Sequence, residues 1–470
     1  MSNNRKYFGT DGIRGRVDDE NLSPALVQEI GRAIGVVFGG ENILVARDPR
    51  ISGDMLQAAL SVGICSTGVS VSDVGILPTP ACAYLTKKLK ADAGIVISAS
   101  HNPYYDNGIK FFDNTGNKLS DQQECNIENV LNNNINNHVK LNTNSNHLGK
   151  IIHNTSLADC YIDYCKEIIN KINNAASLDY IKNLKIVLDC SNGAMYKIAP
   201  EILSSSNLIV INNEPNGFNI NQECGAACKQ GLKKLSSLVR EHSADLGIAF
   251  DGDGDRVILV SAKGEIIDGD QILYILACEK LRMNQAVPGL VGTLMSNLGL
   301  EQAMQCRGID FLRAQVGDRY VLGKLLEKNW VLGGETSGHI INLDQISTGD
   351  GLIAALLIIS TLGKTGLSLD ELVNDFHKYP QVMLNIDLGN NANQISKISK
   401  INSDDILKRS NITSAVLDIE HQLANNGRLL VRKSGTEPLI RVMVEGDRLT
   451  EIEKYAHQLG DLIKAECASG

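Results

Sequence analysis

Ala91-Asp92-Ala93-Gly94-Ile95-Val96-Ile97-Ser98-Ala99-Ser100-His101-Asn102 carries a short apolar run into a polar loop. A run of that length bounded by turn residues reads as a buried strand, Ala93 to Ile97. Upstream, Ser23 and Pro24 start a helix in which Leu26, Ile30, Ala33, Ile34 and Val37 recur at helical spacing. Asn42 to Ala46 then reads as a strand, Met55 to Ser66 as a helix, Val69 to Val74 as a strand and Ala81 to Leu89 as a helix. This βαβαβ order predicts a mostly parallel sheet, in which ligands sit beyond the carboxyl ends of the strands. The loop from Ser98 onward is therefore the first place to look for function.

The same reading repeats along the chain. Lys185 to Cys190 and Leu208 to Ile211 read as strands around a helix from Ala194 to Leu203. Ala244-Asp245-Leu246-Gly247-Ile248 then echoes Ala91 to Ile95 and runs into Asp251-Gly252-Asp253-Gly254-Asp255-Arg256, so an internal repeat is expected. A third block has strands at Leu290 to Thr293 and Ile309 to Leu312, a helix near Leu298 to Met304, and Trp330-Val331-Leu332 leading into Gly333 to His339. Gly351 to Leu362 closes that block as a helix. From about residue 372 helices and alternating strands follow, with Leu439 to Glu445 facing out and in by turns. The segment Cys125 to Asn146, dense in asparagine, reads as a surface excursion. At about 150 residues per domain, 470 residues suggest roughly three, or four if one is small. The expected division is 1–155, 156–257, 258–370 and 371–470.

Composition narrows the function. With 54 Asp and Glu against 45 Lys and Arg the formal net charge is −9, which does not supply the basic face that nucleic acid needs. Any anionic substrate must be met by local positive charge. No apolar window suggests a signal peptide or a membrane span, and a cytoplasmic protein is expected. The 11 cysteines include no Cys-x-x-Cys pair, so all are read as small reduced core residues.

Five loops carry chemistry. Asp251, Asp253 and Asp255, separated by Gly252 and Gly254, can turn three hard oxygens toward one Mg²⁺ or Ca²⁺. An EF-hand loop is excluded, because Arg256 stands where it needs glycine and Ala262 where it needs glutamate. A solvated acidic turn is the rival, weakened by the cost of three like charges so close. Ser100 is a nucleophile candidate at the end of a parallel strand, without the Gly-x-Ser-x-Gly elbow of hydrolases. His101 either orients that loop or acts as a base. Lys110, among apolar neighbours, is an acid/base candidate if it faces the site. Arg432-Lys433-Ser434-Gly435-Thr436-Glu437-Pro438, with Arg441, can present backbone N–H groups and cations to a phosphate; an ordinary hairpin turn is the rival. Gly9 to Gly15, with Arg14, is a weaker signal of the same kind, and Glu335, Ser337 and His339 suit sugar hydroxyls. No Walker loop or Gly-x-Gly-x-x-Gly fingerprint appears. A metal, a serine, a lysine and a phosphate clamp together suggest phosphoryl transfer.

These motifs, in this order, resemble the α-D-phosphohexomutase superfamily over essentially the whole chain. They are Tyr-Phe-Gly-Thr-Asp-Gly-Ile-Arg-Gly at 7–15, Ile-Ser-Ala-Ser-His-Asn-Pro-Tyr-Tyr-Asp-Asn-Gly-Ile-Lys-Phe-Phe at 97–112, Asp-Gly-Asp-Gly-Asp-Arg at 251–256, Gly-Glu-Thr-Ser-Gly-His at 334–339 and Arg-Lys-Ser-Gly-Thr-Glu-Pro at 432–438. The opening and closing motifs look most like members that act on glucosamine phosphates. The resemblance implies three related α/β domains with mixed, mostly parallel sheets and a C-terminal α+β domain around a central cleft. It implies that Ser100 carries a phosphoryl group and that Asp251, Asp253 and Asp255 hold one Mg²⁺ with a phosphate oxygen on Ser100. Lys110 and His339 then lie near the reacting oxygen, with His101 in the same loop as Ser100, and Arg14 and Arg256 stabilise charge. Glu335 and Ser337 read the sugar, and Arg432, Ser434, Gly435, Thr436 and Arg441 bind the phosphate that is not reacting. The implied partner is a small hexosamine phosphate, with glucosamine 1,6-bisphosphate as intermediate or activator, a homodimer admitted, and no nucleic acid or membrane. A mannose or glucose phosphate substrate, and a non-catalytic metal- or sugar-phosphate-binding protein, are the alternatives.

Overall fold

Three sheets of the protein repeat one plan, a parallel set of strands finished by an antiparallel one. The structure, a computed structural model, describes residues 6–9, 11–136, 147–172, 174–387, 406–433 and 439–468. It divides into two compact units, residues 1–295 with 309–374, and residues 296–308 with 375–470.

In the first unit, β1 (Ile13–Arg16), β2 (Asn42–Arg47), β3 (Ser70–Ile76), β4 (Ala93–Ile97), β5 (Asp106–Asp113) and β6 (Ile151–His153) form a sheet in the order β1-β5-β4-β2-β3-β6. The second sheet takes β7 (Lys185–Asp189), β8 (Asn207–Ile211), β9 (Leu246–Phe250), β10 (Val257–Ser261) and β11 (Ile266–Ile267) in the order β11-β10-β9-β7-β8. The third takes β12 (Gly289–Thr293), β13 (Asp310–Ala314), β14 (Leu332–Gly334) and β15 (Ile340–Asn342) in the order β13-β12-β14-β15. In each sheet the chain passes from a parallel strand straight to an antiparallel neighbour: β4 to β5, β9 to β10 and β14 to β15. Three of the polar loops singled out in this unit, those after β4, β9 and β14, occupy these junctions.

The Ala-Asp echo has a physical reason. Asp92 accepts the N–H of Asn42, the first residue of β2, at 2.9 Å, and Asp245 accepts the N–H of Lys185, the first residue of β7, at 2.8 Å. In both sheets the repeated aspartate therefore caps the start of the neighbouring parallel strand.

Helix Pro24–Phe38 is capped by Ser23, whose Oγ accepts from Leu26 N, and it packs its Ile30 and Ile34 into a core with Val45, Leu60 and Ile95. Each such side chain, fully buried, contributes about 1.5–3 kcal/mol of transfer free energy. No helix among the described residues is long and apolar enough to cross a membrane.

Several local expectations are corrected. The helix expected over Ala194 to Leu203 is only Ile198–Ile202. Residues before it make turns instead, because Ala194 N donates to the carbonyl of Gly252 in the acidic loop at 2.8 Å. The asparagine-dense stretch is a helix from Asp121 to Asn136, with Ile127 and Leu131 fully buried, while residues 137–146 lie outside the described ones. Its apolar contacts are too sparse to show as periodicity. Glu128 of this helix is buried too, accepting the N–H groups of Lys6, Tyr7 and Phe8 at 2.9, 2.7 and 2.9 Å. Cys306 is exposed, so the cysteines are not all core residues.

The second unit is α+β. Its antiparallel sheet has β16 (Gln381–Asp387), β17 (Gly427–Lys433) and β18 (Leu439–Gly446) in the order β16-β18-β17, covered by helices Ser410–Leu423 and Leu449–Ala468. The out-and-in alternation expected over Leu439 to Glu445 fails from Met443 onward, because β18 is the central strand and both faces are covered there. Buried Glu445 is held on the second face by Arg428 at 2.9 Å and Asn297 at 3.2 Å.

Candidate active site

β4 ends one residue before Ser98, whose Oγ donates to Asp48 Oδ2 at 2.6 Å and accepts the N–H of Ser100 at 2.9 Å. Ser100 adopts φ 51°, a left-handed conformation unusual for a residue with a Cβ. It is kept there by its own carbonyl, which accepts from Arg50 Nη2 at 3.0 Å and Asn221 Nδ2 at 2.9 Å. Arg50, itself buried, also donates to the carbonyls of Asn102, Pro103 and Asp106 and to Asp48. A loop with four of its carbonyls bound to one guanidinium has little freedom left.

The hydroxyl of Ser100 donates to Asp251 Oδ2 at 2.6 Å, which joins the first sheet's loop to the second's. That approach needs a glycine at 252, where a Cβ would lie 2.6 Å from the Ser100 carbonyl oxygen. Gly254 serves differently, turning the acidic loop with φ 75°. Asp251, Asp253 and Asp255 are all buried, with one oxygen from each within 4.8 Å of the others. Asp253 Oδ1 and Asp255 Oδ1 are buried without a hydrogen-bond partner among the described residues. Orphaned hard oxygens in a convergent set fit a divalent cation.

The electrostatics are divided within this set. Burial and the charges of Asp255 and Asp253 push the carboxyl of Asp251 well above its ordinary range. Burial acts the same way on Asp255, but the Lys110 ammonium and His339 override it and hold that carboxyl well below. Lys110 is buried on β5, with Nζ 2.7 Å from Asp253 Oδ2 and 2.9 Å from Asp255 Oδ2. It does face the site, as the acid/base reading requires. Its pKa is raised rather than lowered, because Asp11, Asp253 and Asp255 outweigh the effect of burial.

The remaining residues of the first unit close around this group. Arg256 Nη1 is 3.1 Å from His101 Nδ1, and burial together with that guanidinium pushes His101 down to about 4. His101 is therefore neutral at physiological pH. Arg14, on β1, donates to the Ser98 carbonyl at 3.2 Å and to Asp11. An antiparallel bridge between Arg256 and His339, with Val257 N donating to Gly338 O at 3.0 Å, ties the acidic loop to the loop of the third sheet. His339 Nδ1 lies 3.7 Å from Asp255 Oδ1, and the carboxylates of Asp255, Asp318 and Glu335 raise its pKa against the effect of burial. Glu335 accepts the N–H of Gly317 at 2.9 Å, and exposed Ser337 donates to it at 3.4 Å. Ser100, His101, Lys110, Arg14, Arg256, His339, Glu335, Ser337 and the three aspartates thus all belong to one unit.

Arg432 and Arg441 belong to the other. They are directly paired across β17 and β18, and burial with the neighbouring Arg441 charge lowers the Arg432 pKa. Two cations side by side suit an anion. Ser434, Gly435 and Thr436 lie outside the described residues.

Sequence reading missed Asp48, Arg50, Thr79, Asn221, Asp11, Lys118 and Asp318. Asp48 and Arg50 follow β2, the parallel neighbour of β4, so the rule that pointed to Ser98 points to them as well. Thr79 donates its N–H to the Asp253 carbonyl at 2.9 Å and its hydroxyl to the carboxylate. Asn221 stands in an irregular loop with no sequence signal.

Four family models match the chain. They describe the phosphoglucomutase/phosphomannomutase alpha/beta/alpha domain I at residues 5–138, domain II at 159–264, domain III at 268–379, and the C-terminal domain at 383–462. Among solved structures, a phosphoglucomutase/phosphomannomutase family protein of Burkholderia thailandensis superposes with TM-score 0.78 at 24% identity, covering 97% of this chain and 96% of that one. The N-acetylphosphoglucosamine mutase of Aspergillus fumigatus, in complex with GlcNAc-6P and magnesium, superposes with TM-score 0.64 at 16% identity, covering 98% and 96%. Curated relatives are far nearer in sequence. The phosphoglucosamine mutases of Citrobacter koseri and Shigella boydii are each 47% identical over 467 residues, 98% of this chain and 99% of theirs. Identity at that level from end to end, on top of four domain matches in order, places the chain among the phosphoglucosamine mutases of the phosphoglucomutase/phosphomannomutase family.

Proposed function

We propose that the chain interconverts glucosamine 6-phosphate and glucosamine 1-phosphate, a step toward UDP-N-acetylglucosamine, through a phosphoserine at Ser100 and glucosamine 1,6-bisphosphate. The observation that carries this is the 2.6 Å contact of Ser100 Oγ with a buried set of three carboxylates. Phosphoryl transfer asks of a protein mainly alignment and charge neutralisation. Asp251, Asp253 and Asp255 would hold one Mg²⁺ per site together with an oxygen of the Ser100 phosphate, and the fungal relative's magnesium complex supports that choice of ion. Once bound, the ion offsets charge on the phosphoryl oxygens.

The bond from phosphorus to Ser100 Oγ breaks as one forms from the 1-hydroxyl of the 6-phosphate, or from the 6-hydroxyl of the 1-phosphate. The Lys110 ammonium gives a proton to the departing Ser100 Oγ and is restored by the proton the sugar hydroxyl loses. The bisphosphate turns over and returns its other phosphate to Ser100. Arg14 and Arg256 offset the charge, with His101 orienting Arg256 and His339 orienting Asp255. Glu335 and Ser337 read sugar hydroxyls. Arg432, Arg441, Ser434, Gly435 and Thr436 hold the phosphate that is not reacting. The division 1–155, 156–257, 258–370 and 371–470 belongs to this reading. The matched family models support it in order and number, although the third runs to residue 379. A cytoplasmic location belongs to this reading as well, with a homodimer admitted.

Turnover of the 1-phosphates of glucosamine, glucose and mannose, compared at equal concentration, is the test. Preference for glucosamine is expected, and a strong preference for either other sugar would overturn the substrate assignment. Intact mass before and after phosphatase treatment should show one phosphate on the peptide that contains Ser100.

A further inference from the structure

A ring of alternating charge closes beside the site. Lys110 Nζ is 2.9 Å from Asp255 Oδ2 and 3.6 Å from Asp11 Oδ2. Asp11 Oδ1 pairs with Lys118, and Lys118 pairs with Asp318 Oδ2. That same oxygen of Asp318 is 3.4 Å from His339 Nε2, and His339 Nδ1, at 3.7 Å from Asp255 Oδ1, returns the path to its start. Six residues from six separate segments therefore form one circuit.

Asp255, Lys110 and His339 already have places in the proposed chemistry. Lys118 and Asp318 have none, yet their side chains are only 15% and 14% exposed. Burying ions costs several kcal/mol each, and apolar replacements are often at least as stable, so the pair is a poor device for stability alone. Its placement suggests another use. Asp318 opens helix Asp318–Lys328, and Gly317 just before it donates its N–H to Glu335 at 2.9 Å. One dipeptide thus holds both ends of the loop from Glu335 to His339.

We infer that Asp318 and Lys118 are positioning residues for phosphoryl transfer. Asp318 fixes the His339 ring through Nε2 and so aims its other nitrogen at Asp255. Lys118 carries the same constraint through Asp11 to Lys110. The loop that reads the sugar is in this way tied to the groups around Ser100. The inference rests on the roles proposed above for Lys110 and His339, and not on which hexose is the substrate. His339 Nε2 has no aligned hydrogen bond among the described residues, so the Asp318 charge is what fixes it and what a test must remove.

Asp318→Asn removes that charge at nearly constant shape. The rate at which phosphatase-treated enzyme regains a phosphate on Ser100 from glucose 1,6-bisphosphate, followed by intact mass, reads the chemistry whatever the preferred sugar. Loading and kcat are expected to fall about 10–100-fold, the usual cost of losing a residue that orients a reacting group. KM should stay within about threefold, as for an interaction used in the transition state, and Asp318→Glu should recover most of the loss. The double variant Lys118→Met with Asp318→Asn leaves neither partner buried alone, and its own loading should fall about 10–100-fold below the parent, so it tests the idea even if a single variant fails to fold. It should lose about as much as Asp318→Asn by itself, because both changes break one coupling. Asp318→Asn loading within about twofold of the parent, a loss that Glu does not recover, or a double-variant loss equal to the product of the singles would overturn the inference. Failure of the parent itself to load Ser100 would instead remove the phosphoserine reading.

Discussion

Arg50 Nη2 donates to the carbonyl oxygen of Ser100 at 3.0 Å, so a buried guanidinium from the end of β2 sets the backbone of the residue that presents its hydroxyl to the metal candidate. Lysine at this position keeps a charge beside Asp48 but cannot reach four carbonyls. Arg50→Lys should therefore lower kcat on the order of 100-fold through misplacement of the hydroxyl. It should also lower the unfolding free energy by about 2–4 kcal/mol, as charge-assisted hydrogen bonds are lost. Steady-state kinetics and urea unfolding of the same preparation check both. Full activity in a destabilised variant would refute the link between loop geometry and chemistry.

Ser100→Ala leaves no oxygen to carry phosphate. Mutase turnover should fall at least about 1000-fold, the scale on which enzymes lose rate without their nucleophile. The variant should gain no phosphate mass from glucose 1,6-bisphosphate. A coupled assay at normal turnover would end the phosphoserine mechanism.

Removal of divalent cations with a chelator should stop turnover, and added Mg²⁺ should restore it. Because only the folded chain assembles Asp251, Asp253 and Asp255, Mg²⁺ at 100 times its Kd should stabilise the fold by about 2.7 kcal/mol. Thermal unfolding with and without the ion reads this directly. Asp253→Asn should abolish the shift, and a shift that survives would move the cation elsewhere.

Asp350 gives a stability prediction beneath the acidic loop, where Gly351 N donates to the Gly254 carbonyl at 3.1 Å. Its carboxylate caps helix Gly351–Thr365, accepting from Ile353 N at 2.9 Å and the Tyr161 hydroxyl at 2.8 Å, and burial raises its pKa to about 6. Between about pH 4 and 6 the folded chain holds a proton that the unfolded chain has released, so this group's contribution declines as pH rises through 6. The penalty above that is roughly 3 kcal/mol, from about two pH units at 1.36 kcal/mol each. Asp350→Asn keeps both contacts without the charge. It should gain stability over the parent at pH 8 and lose that advantage near pH 4, as urea midpoints would show. An advantage independent of pH would refute the assignment.

The parts of the fold visible in the sequence were those with local causes. The apolar run Ala93 to Ile97 and its loop gave β4 and the site that follows it, and the Asp92 and Asp245 echo marked equivalent strand caps. Ser100, Lys110 and the three aspartates were legible because their spacing or neighbours are unusual in themselves. Asp318 and Asn221 were not, since each gains meaning only from a partner more than 20 residues away. The helix Asp121–Asn136 was hidden for a different reason: it is anchored by two fully buried apolar side chains and the buried acid Glu128, not by an apolar stripe. The turns at residues 191–197 escaped because the carbonyl that draws them away from helix lies on Gly252, about 55 residues on, in the loop after β9 of the same sheet.

The left-handed backbone of Ser100, gripped through its carbonyl by Arg50 and Asn221, makes the proposed phosphate carrier a fixed post. On the proposed cycle it must serve the 1- and 6-positions of the sugar in succession. Since the post does not swing, the reorientation falls to the bisphosphate. A sugar locked against tumbling, by a bulky or rigid substituent, should then halt at the halfway stage and behave as an inhibitor that leaves Ser100 bare.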